Sequence, residues 1–351
     1  NLGANNTAAT QLPVMTTTQR IAMTGLSVGE MIFNSDTDKV EYFDGTKWYG
    51  ITYEVAGESP YNNVLYTGSG NTTSGQSITG VGFKPDLVWF KSTGTTYNNV
   101  LYDSIRGTNA AISSNLTNGT YSNYNRLQSF DNDGFTIKAN NTADLWKIDR
   151  SGQPFVAWCF KAGGAAVSNT DGTVASQVSA NIAGGFSIVS YTGNGSAGAT
   201  VGHGIDTPEL IIVKRLSGVE NWAVYSDYSH PTVPQNYLLT LDNNSAAGLN
   251  STRWNNTAPT NAVFSIGTSQ AVNANTNTYI AYCFHSVPGF SKIGSYTGTG
   301  ANMTVDVGFE PAFVMIKNTS STASWHIFDN KRTTANPSTE ALFPNESSAA
   351  A

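Results

Sequence analysis

A chain of 351 residues has room for two or three domains, and with apolar residues at 39% it can bury real cores. Charged residues make up only 12% and the net charge is −6, which argues against a nucleic-acid partner, because phosphate binding needs a basic face. No run approaches the roughly 18 apolar residues of a membrane-crossing helix, so no membrane insertion is expected. Gly, Asn, Ser and Thr fill the space that charge leaves, as in all-β proteins with many turns. No signal peptide is visible, and the start at Asn1 rather than Met suggests a preceding N-terminal piece.

Residues 1–20 are polar, with Pro13 and few apolar anchors, and read as an extended arm. Residues 21–59 carry a compact hairpin signature. Met31-Ile32-Phe33 leads into a polar turn, Val40-Glu41-Tyr42-Phe43 follows, and Asp44-Gly45 turns the chain into Lys47-Trp48-Tyr49. Asp-Gly between alternating apolar residues is a strong hairpin signal. Such a unit is too small to hold a core alone, so it is expected to pack against another chain or domain.

Residues 60–167 form a first full module with strand candidates at 87–90, 100–102, 135–137 and 155–160. The Ser/Thr/Ala/Gly tract 168–183 reads as a linker. A second module, 184–287, has strands at 186–191, 210–213, 222–225, 237–241 and 279–284. Residues 288–351 open a third copy that lacks any counterpart of the Cys-containing strand, so the chain is expected to continue past Ala351. No long amphipathic helix is evident, and short strands between Gly/Asn/Ser turns point to β-sandwiches.

The three copies share one grammar. Tyr66-Thr67-Gly68 precedes Gly82-Phe83-Lys84-Pro85-Asp86 and the run Leu87-Val88-Trp89-Phe90, stopped by Lys91. Tyr191-Thr192-Gly193 precedes Thr207-Pro208-Glu209 and Leu210-Ile211-Ile212-Val213, stopped by Lys214. Tyr296-Thr297-Gly298 precedes Gly308-Phe309-Glu310-Pro311 and Phe313-Val314-Met315-Ile316, stopped by Lys317. A unit of this size is a domain, since solenoid periods fall at about 20–50 residues. Cys159 in Ala157-Trp158-Cys159-Phe160 matches Cys283 in Ala281-Tyr282-Cys283-Phe284. Equivalent positions belong to separate cores, so the two cysteines are expected to be unbridged, buried packing residues.

The N-terminal segment Met31-Ile32-Phe33-Asn34-Ser35-Asp36-Thr37-Asp38-Lys39, with Tyr42-Phe43-Asp44-Gly45-Thr46-Lys47-Trp48, resembles a small module of bacteriophage tail fibres and related virion appendages. The copies resemble concanavalin/laminin-G-like jelly-roll modules of phage structural proteins. That likeness rests on Gly82-Phe83-Lys84-Pro85-Asp86, Tyr102-Asp103-Ser104-Ile105-Arg106-Gly107, Asp131-Asn132-Asp133-Gly134-Phe135 and Val156-Ala157-Trp158-Cys159-Phe160. The second copy departs from the pattern, with Ile205-Asp206-Thr207 and no Asp-Asn-Asp-Gly. The resemblance implies a virion location, frequent homotrimers, and contact with other virion proteins or a host-surface glycan.

The candidate sites each have a plainer reading. Asp131 and Asp133 offer clustered oxygens of the kind calcium takes, but the same residues make a routine β-turn, and no cofactor is expected. A glycan hydrolase needs two carboxylates flanking the bond. Asp103 and Asp329 share a register whose middle copy has Ser226 beside Asp227, which favours strand-end hydrogen bonding over catalysis. The four histidines are scattered and suggest no metal site. Lys91, Lys214 and Lys317 read as charges that guard apolar strands against edge pairing. Trp146, Arg253 and Trp254 lie among polar residues and are the candidates for glycan stacking or for a subunit interface.

The sequence therefore points to an all-β protein: an N-terminal β-hairpin module followed by tandem jelly-roll-like β-sandwiches. The expected function is a non-enzymatic virion structural protein that binds multivalently. The alternatives are a glycan-degrading tailspike-type hydrolase and a head-decoration or fibre protein with a purely assembly role.

Overall fold

A computed structural model describes residues 12–36, 39–51, 59–70, 74–122, 126–138, 148–333 and 338–350. The chain is nearly all β, 37% strand and 5% helix, as the β-sandwich expectation holds. Among the described residues no helix is long and apolar enough to cross a membrane. The chain divides into two compact units, residues 1–58 and 59–351.

The first unit is a four-stranded sheet of Val14–Met15, Met31–Asn34, Lys39–Phe43 and Trp48–Ile51, in that order. The first two strands run parallel and the others antiparallel. The expected arm of residues 1–20 needs correction here: residues 1–11 lie outside those described, but Val14–Met15 is a sheet strand and Thr17–Ile21 a helix. The missed signal is a reciprocal cap. Thr16 accepts from the Gln19 backbone N–H at 3.2 Å, while the Gln19 side chain accepts from the Thr16 N–H at 2.8 Å. Beneath the helix, buried Glu41 accepts from Asn34 at 2.9 Å and from Arg20 at 2.6 Å, so this small sheet is held partly by a polar cluster.

The second unit contains the three copies. In the first, a six-stranded antiparallel sheet runs Tyr121–Ser122, Ala110–Ser113, Val100–Asp103, Leu87–Ser92, Pro154–Phe160, Tyr61–Thr67. In the second, eight strands run Val167–Asn169, Ser176–Asn181, Phe186–Thr192, Thr278–Phe284, Leu210–Arg215, Ala223–Ser226, Tyr237–Thr240, Gly248–Leu249. Both sheets share a central series, named here by marker residues: a tyrosine strand (Tyr66, Tyr191), a cysteine strand (Cys159, Cys283), a lysine strand (Lys91, Lys214) and a return strand (Asp103, Ser226). In the third copy, among the described residues, the lysine strand Phe313–Ile316 pairs with the return strand His326–Asp329, with isolated bridges from Ile327 to Leu342 and from Ser291 to Val287.

The tract 168–183 is not a linker. Ser176–Asn181 pairs along its whole length with the tyrosine strand Phe186–Thr192, and Val178 is buried beneath it. Composition hid this because small Ser and Ala side chains can face a sheet interior as easily as they fill a loop.

Each sheet is buried on both faces, which is why the lysine strands read as unbroken apolar runs. Outward, the first sheet packs on a three-stranded sheet of Leu127–Asp131, Gly134–Ile137 and Gln76–Thr79, enclosing Val88, Phe90, Tyr102, Phe135 and Cys159. The second packs on Ala199–Gly202 with Val263–Ile266, enclosing Ile211, Val213, Tyr225, Trp254 and Cys283. The cysteines are free, buried and in separate cores.

Inward, all three copies meet in one further core. Equivalent residues converge there: Trp89, Ile212 and Met315 from the lysine strands; Leu101, Val224 and Ile327 from the return strands; and their cross-strand neighbours Ile112, Leu239 and Leu342. Val156 with Trp158, and Ile280 with Tyr282, add the cysteine strands. The copies are therefore sectors of one assembly around a shared apolar centre, not beads on a string.

Candidate functional site

The polar residues that mark each copy converge on the junctions between copies. Lys91 and Lys214 are fully buried and their amines donate to backbone carbonyls. Lys91 reaches Tyr97 at 3.4 Å in its own copy and Glu346 at 3.1 Å in the third. Lys214 reaches Glu220 in its own copy and Thr117 at 2.9 Å in the first. Lys317 reaches Ala323 at 2.6 Å in its own copy and Asn244 at 3.1 Å in the second. Each lysine thus ties its own following loop to the preceding copy, and the three bonds close a cycle. Burial pushes the Lys91 amine down to about 7 and the Lys214 amine to about 8. The expectation of edge-guarding surface charges is corrected: these lysines lie inside the junctions.

Eight positions after each lysine the same cycle is written in another side chain. Asn99 donates to the carbonyls of Phe343, Pro344 and Glu346 at 2.9–3.0 Å. Trp222 donates through Nε1 to Ser113 at 2.9 Å and Leu116 at 3.2 Å. Trp325 donates to Thr240 at 2.9 Å. Buried carbonyls at loop ends need such partners, since an unsatisfied one costs about 1–3 kcal/mol.

The acids in shared register complete the pattern at two junctions. Asp103 is buried and accepts from Arg106 at 2.6 Å and from the Tyr282 hydroxyl of the second copy at 2.8 Å. Asp329 accepts from Arg332 at 2.6 Å and from Trp158 Nε1 of the first copy at 3.3 Å. The middle copy has Ser226 and Ser229 at the matching places, and no cysteine strand reaches it among the described residues. These carboxylates are locked by arginine and closed to solvent, so they do not form an open pair across a cleft.

Asp131 and Asp133 are both engaged by protein donors. Asp133 accepts from the backbone N–H groups of Gly82 at 2.6 Å and Gly80 at 3.1 Å, which holds its carboxyl below the usual range. Asp131 accepts from the Thr136 hydroxyl at 2.7 Å. Gly134 completes the turn at φ 128°, where a Cβ would meet the Ile78 carbonyl oxygen at 2.1 Å. Among the described residues no three His, Cys, Asp or Glu side chains are grouped to hold a metal. The arrangement is the turn reading.

The aromatic candidates fare differently from expectation. Trp146 lies outside the described residues. Trp254 is 1% exposed, edge-on to Tyr225 at 5.7 Å in the second outward core, and so corrects the expectation of a surface platform. Its polar neighbours are a helix cap and a left-handed turn: Asn250 accepts from the Thr252 and Arg253 N–H groups, and Asn255 ends the helix Ser251–Trp254 at φ 52°. Arg253 is largely buried beside it, its Nε and Nη1 without protein partners, and burial lowers its pKa.

One acid that the sequence showed only as the neighbour of Ser226 stands out. Asp227 is half-buried, accepts from the Tyr225 hydroxyl at 2.5 Å, and burial together with the charge of Glu209 raises its pKa. Glu209 in turn accepts from the Ser286 N–H at 2.7 Å. No sequence spacing marks this pair, because Asp227 sits one residue off the register of Asp103 and Asp329. A separate hollow of about 370 Å³ lies between the first and third copies, lined by Leu65, Thr93, Pro154, Arg332 and Glu340 among others. Its arginine is already paired with Asp329.

A family model described as a domain of unknown function (DUF7483) matches residues 57–351. No curated protein and no solved structure matches the chain.

Proposed function

The chain belongs to the DUF7483 family, and on the sequence resemblance and the arrangement of its copies we propose that it is a non-enzymatic structural protein of a bacteriophage virion, a tail fibre or similar appendage. It acts by presenting surfaces to host envelope or to other virion proteins. One observation carries this reading: three sets of polar residues that sit in shared register from copy to copy are engaged in joining the copies. The lysines, the Asp–Arg pairs and the indole donors all serve the shared centre. Repetition is thus used to build a scaffold, and recognition falls to the loops that differ. Localisation on the virion and assembly as a homotrimer belong to the same proposal.

Cryo-electron microscopy of intact particles tests the location, and light scattering of the purified chain tests the oligomer. Density for the three-sector unit on a tail or fibre is the expected result; its absence from every particle overturns the proposal. Saturable binding to host cells separates recognition from an assembly-only role.

The hydrolase reading retains one specific support, the raised Asp227 beside Glu209. Incubation with host capsule decides it. Steady release of reducing ends that Asp227→Asn abolishes would replace the binding-protein reading with the enzymatic one.

A further inference from the structure

Two of the three lysine strands are covered on both edges, and the third is not. In the first copy Leu87–Ser92 lies between the return strand and the cysteine strand Pro154–Phe160, which the tyrosine strand Tyr61–Thr67 then flanks. In the second copy Leu210–Arg215 is enclosed the same way by Thr278–Phe284 and Phe186–Thr192. In the third copy Phe313–Ile316 pairs with His326–Asp329 alone, and its other edge has no strand among the described residues. The matching tyrosine-strand segment, 290–296, forms no strand.

The side chains that such a strand would cover are exposed. Tyr296 is 49% exposed, whereas its counterparts Tyr66 and Tyr191 are 9% and 4% exposed and donate to Ile148 and Val272 carbonyls. Met303 and Val305 are 43% and 46% exposed nearby in the chain. The sequence of the segment still carries the strand grammar, with Ile293 and Tyr296 at the places of Ile188 and Tyr191. An apolar strand edge with free N–H and C=O groups is a template for another strand.

We propose that this edge is an acceptor site for one added polypeptide β-strand, inserted antiparallel between Phe313–Ile316 and segment 290–296. The two complete copies specify its chemistry. Opposite Lys317 they place Val156 or Ile280, opposite Ile316 Ala157 or Ala281, opposite Met315 Trp158 or Tyr282. Opposite Val314 stands a cysteine, and opposite Phe313 a phenylalanine. The added strand therefore alternates large apolar residues facing the shared centre with small residues facing outward. Its central large residue meets the junction at Ser226, where no Asp–Arg pair waits, so an aromatic hydrogen-bond donor is not required there. This inference stands apart from the virion reading and depends on nothing in it.

The test uses the 351-residue protein and a synthetic peptide with the sequence of Thr278–Phe284, flanked by lysines for solubility. A control peptide shifts the same residues by one position, which turns its large side chains to the wrong face. The expected result is saturable binding of the first peptide, at least tenfold tighter than the control. Amide exchange should slow across Phe313–Ile316 and 290–296 while Leu210–Arg215 is unchanged. Tyr296→Glu, at an exposed position that leaves the fold intact, should weaken binding about tenfold. Equal binding by both peptides, or protection confined to the second copy, overturns the proposal. So does a dimer of the protein itself that protects Phe313–Ile316 without peptide, since the edge would then belong to a second copy.

Discussion

In the second copy the lysine strand Leu210–Arg215 lies between two neighbours, and its residues from Ile211 to Lys214 are buried. In the third copy the equivalent Phe313–Ile316 has one neighbouring strand among the described residues, and all four of its residues remain half-exposed. The runs themselves are equally apolar, so hydrophobicity alone does not decide burial. What decides it is whether a cysteine strand supplies the second ladder of hydrogen bonds and carries the outer sheet with it. The shared centre softens the difference: Ile327 and Leu342 are fully buried because the other two copies cover them.

The largest expected contrast comes from the paired tyrosines. Tyr191→Ala removes a ring stacked on Tyr279 at 5.1 Å and a hydroxyl bonded to Val272, and should cost about 3–5 kcal/mol. Tyr296→Ala at the matching exposed place should stay within about 0.5 kcal/mol. Urea midpoints of the two variants measure this directly. Equal losses would mean that the third copy is as closed as the second.

A comparable effect is expected at the acid junctions. Asp103→Asn strands the buried Arg106 guanidinium and should cost about 3–5 kcal/mol, because one partner of a buried pair is left charged. The middle copy shows a way out, with Ser226 and Ser229 in those places. The double change Asp103→Ser with Arg106→Ser should therefore recover part of the loss, although Tyr282 then loses its acceptor. A double variant no better than the single would show that the pair does more than neutralise itself.

The central strands were legible in the sequence because both-face burial writes unbroken apolar runs, and the segments predicted there agree with the observed strands to within one or two residues. The Asp-Asn-Asp-Gly turn was also legible, since the hairpin it closes and the Asp131–Thr136 bond are local, although Asp133 reaches the distant Gly80 and Gly82 N–H groups. Other parts were not: the strands Tyr61–Thr67, Gln76–Thr79, Ala110–Ser113, Leu127–Asp131, Ala199–Gly202 and Val263–Ile266 were not predicted, because they lack such runs. The tract 168–183 hid its strands because Ser and Ala carry no preference between interior and loop. The junctions were invisible because Lys91, Asp103 and Trp222 meet partners in other copies, 100 or more residues away in several cases. A buried lysine bonded to carbonyls and an exposed lysine guarding an edge look alike in sequence. Trp254 misled for the opposite reason: its polar neighbours cap a short helix, while the ring turns inward.

The smallest expected effect separates the copies by pH. Burial lowers the folded-state pKa of Lys91 to about 7, against 10.5 for an ordinary lysine. Between those values the unfolded chain binds more protons than the folded one, so stability rises with pH, by at most about 1.4 kcal/mol per unit for one lysine. Below pH 7 both states are protonated and the buried charge exerts its full penalty. Lys214 acts in the same direction from about 8, and the charges of Glu346 near Lys91 and of Asp242 and Glu220 near Lys214 oppose the shift. His203, held below its ordinary range by burial, titrates beneath this window. Denaturation midpoints should therefore climb from pH 7 to 9 in the native protein; in Lys91→Met they should flatten between pH 7 and 8 and keep only the Lys214 slope above that. The half-exposed Lys317 of the open third copy is the control, and Lys317→Met should leave most of the slope in place. If Lys317→Met flattened it instead, the third junction would be as closed to water as the first, and the contrast between complete and open copies would fail where the cycle joins them.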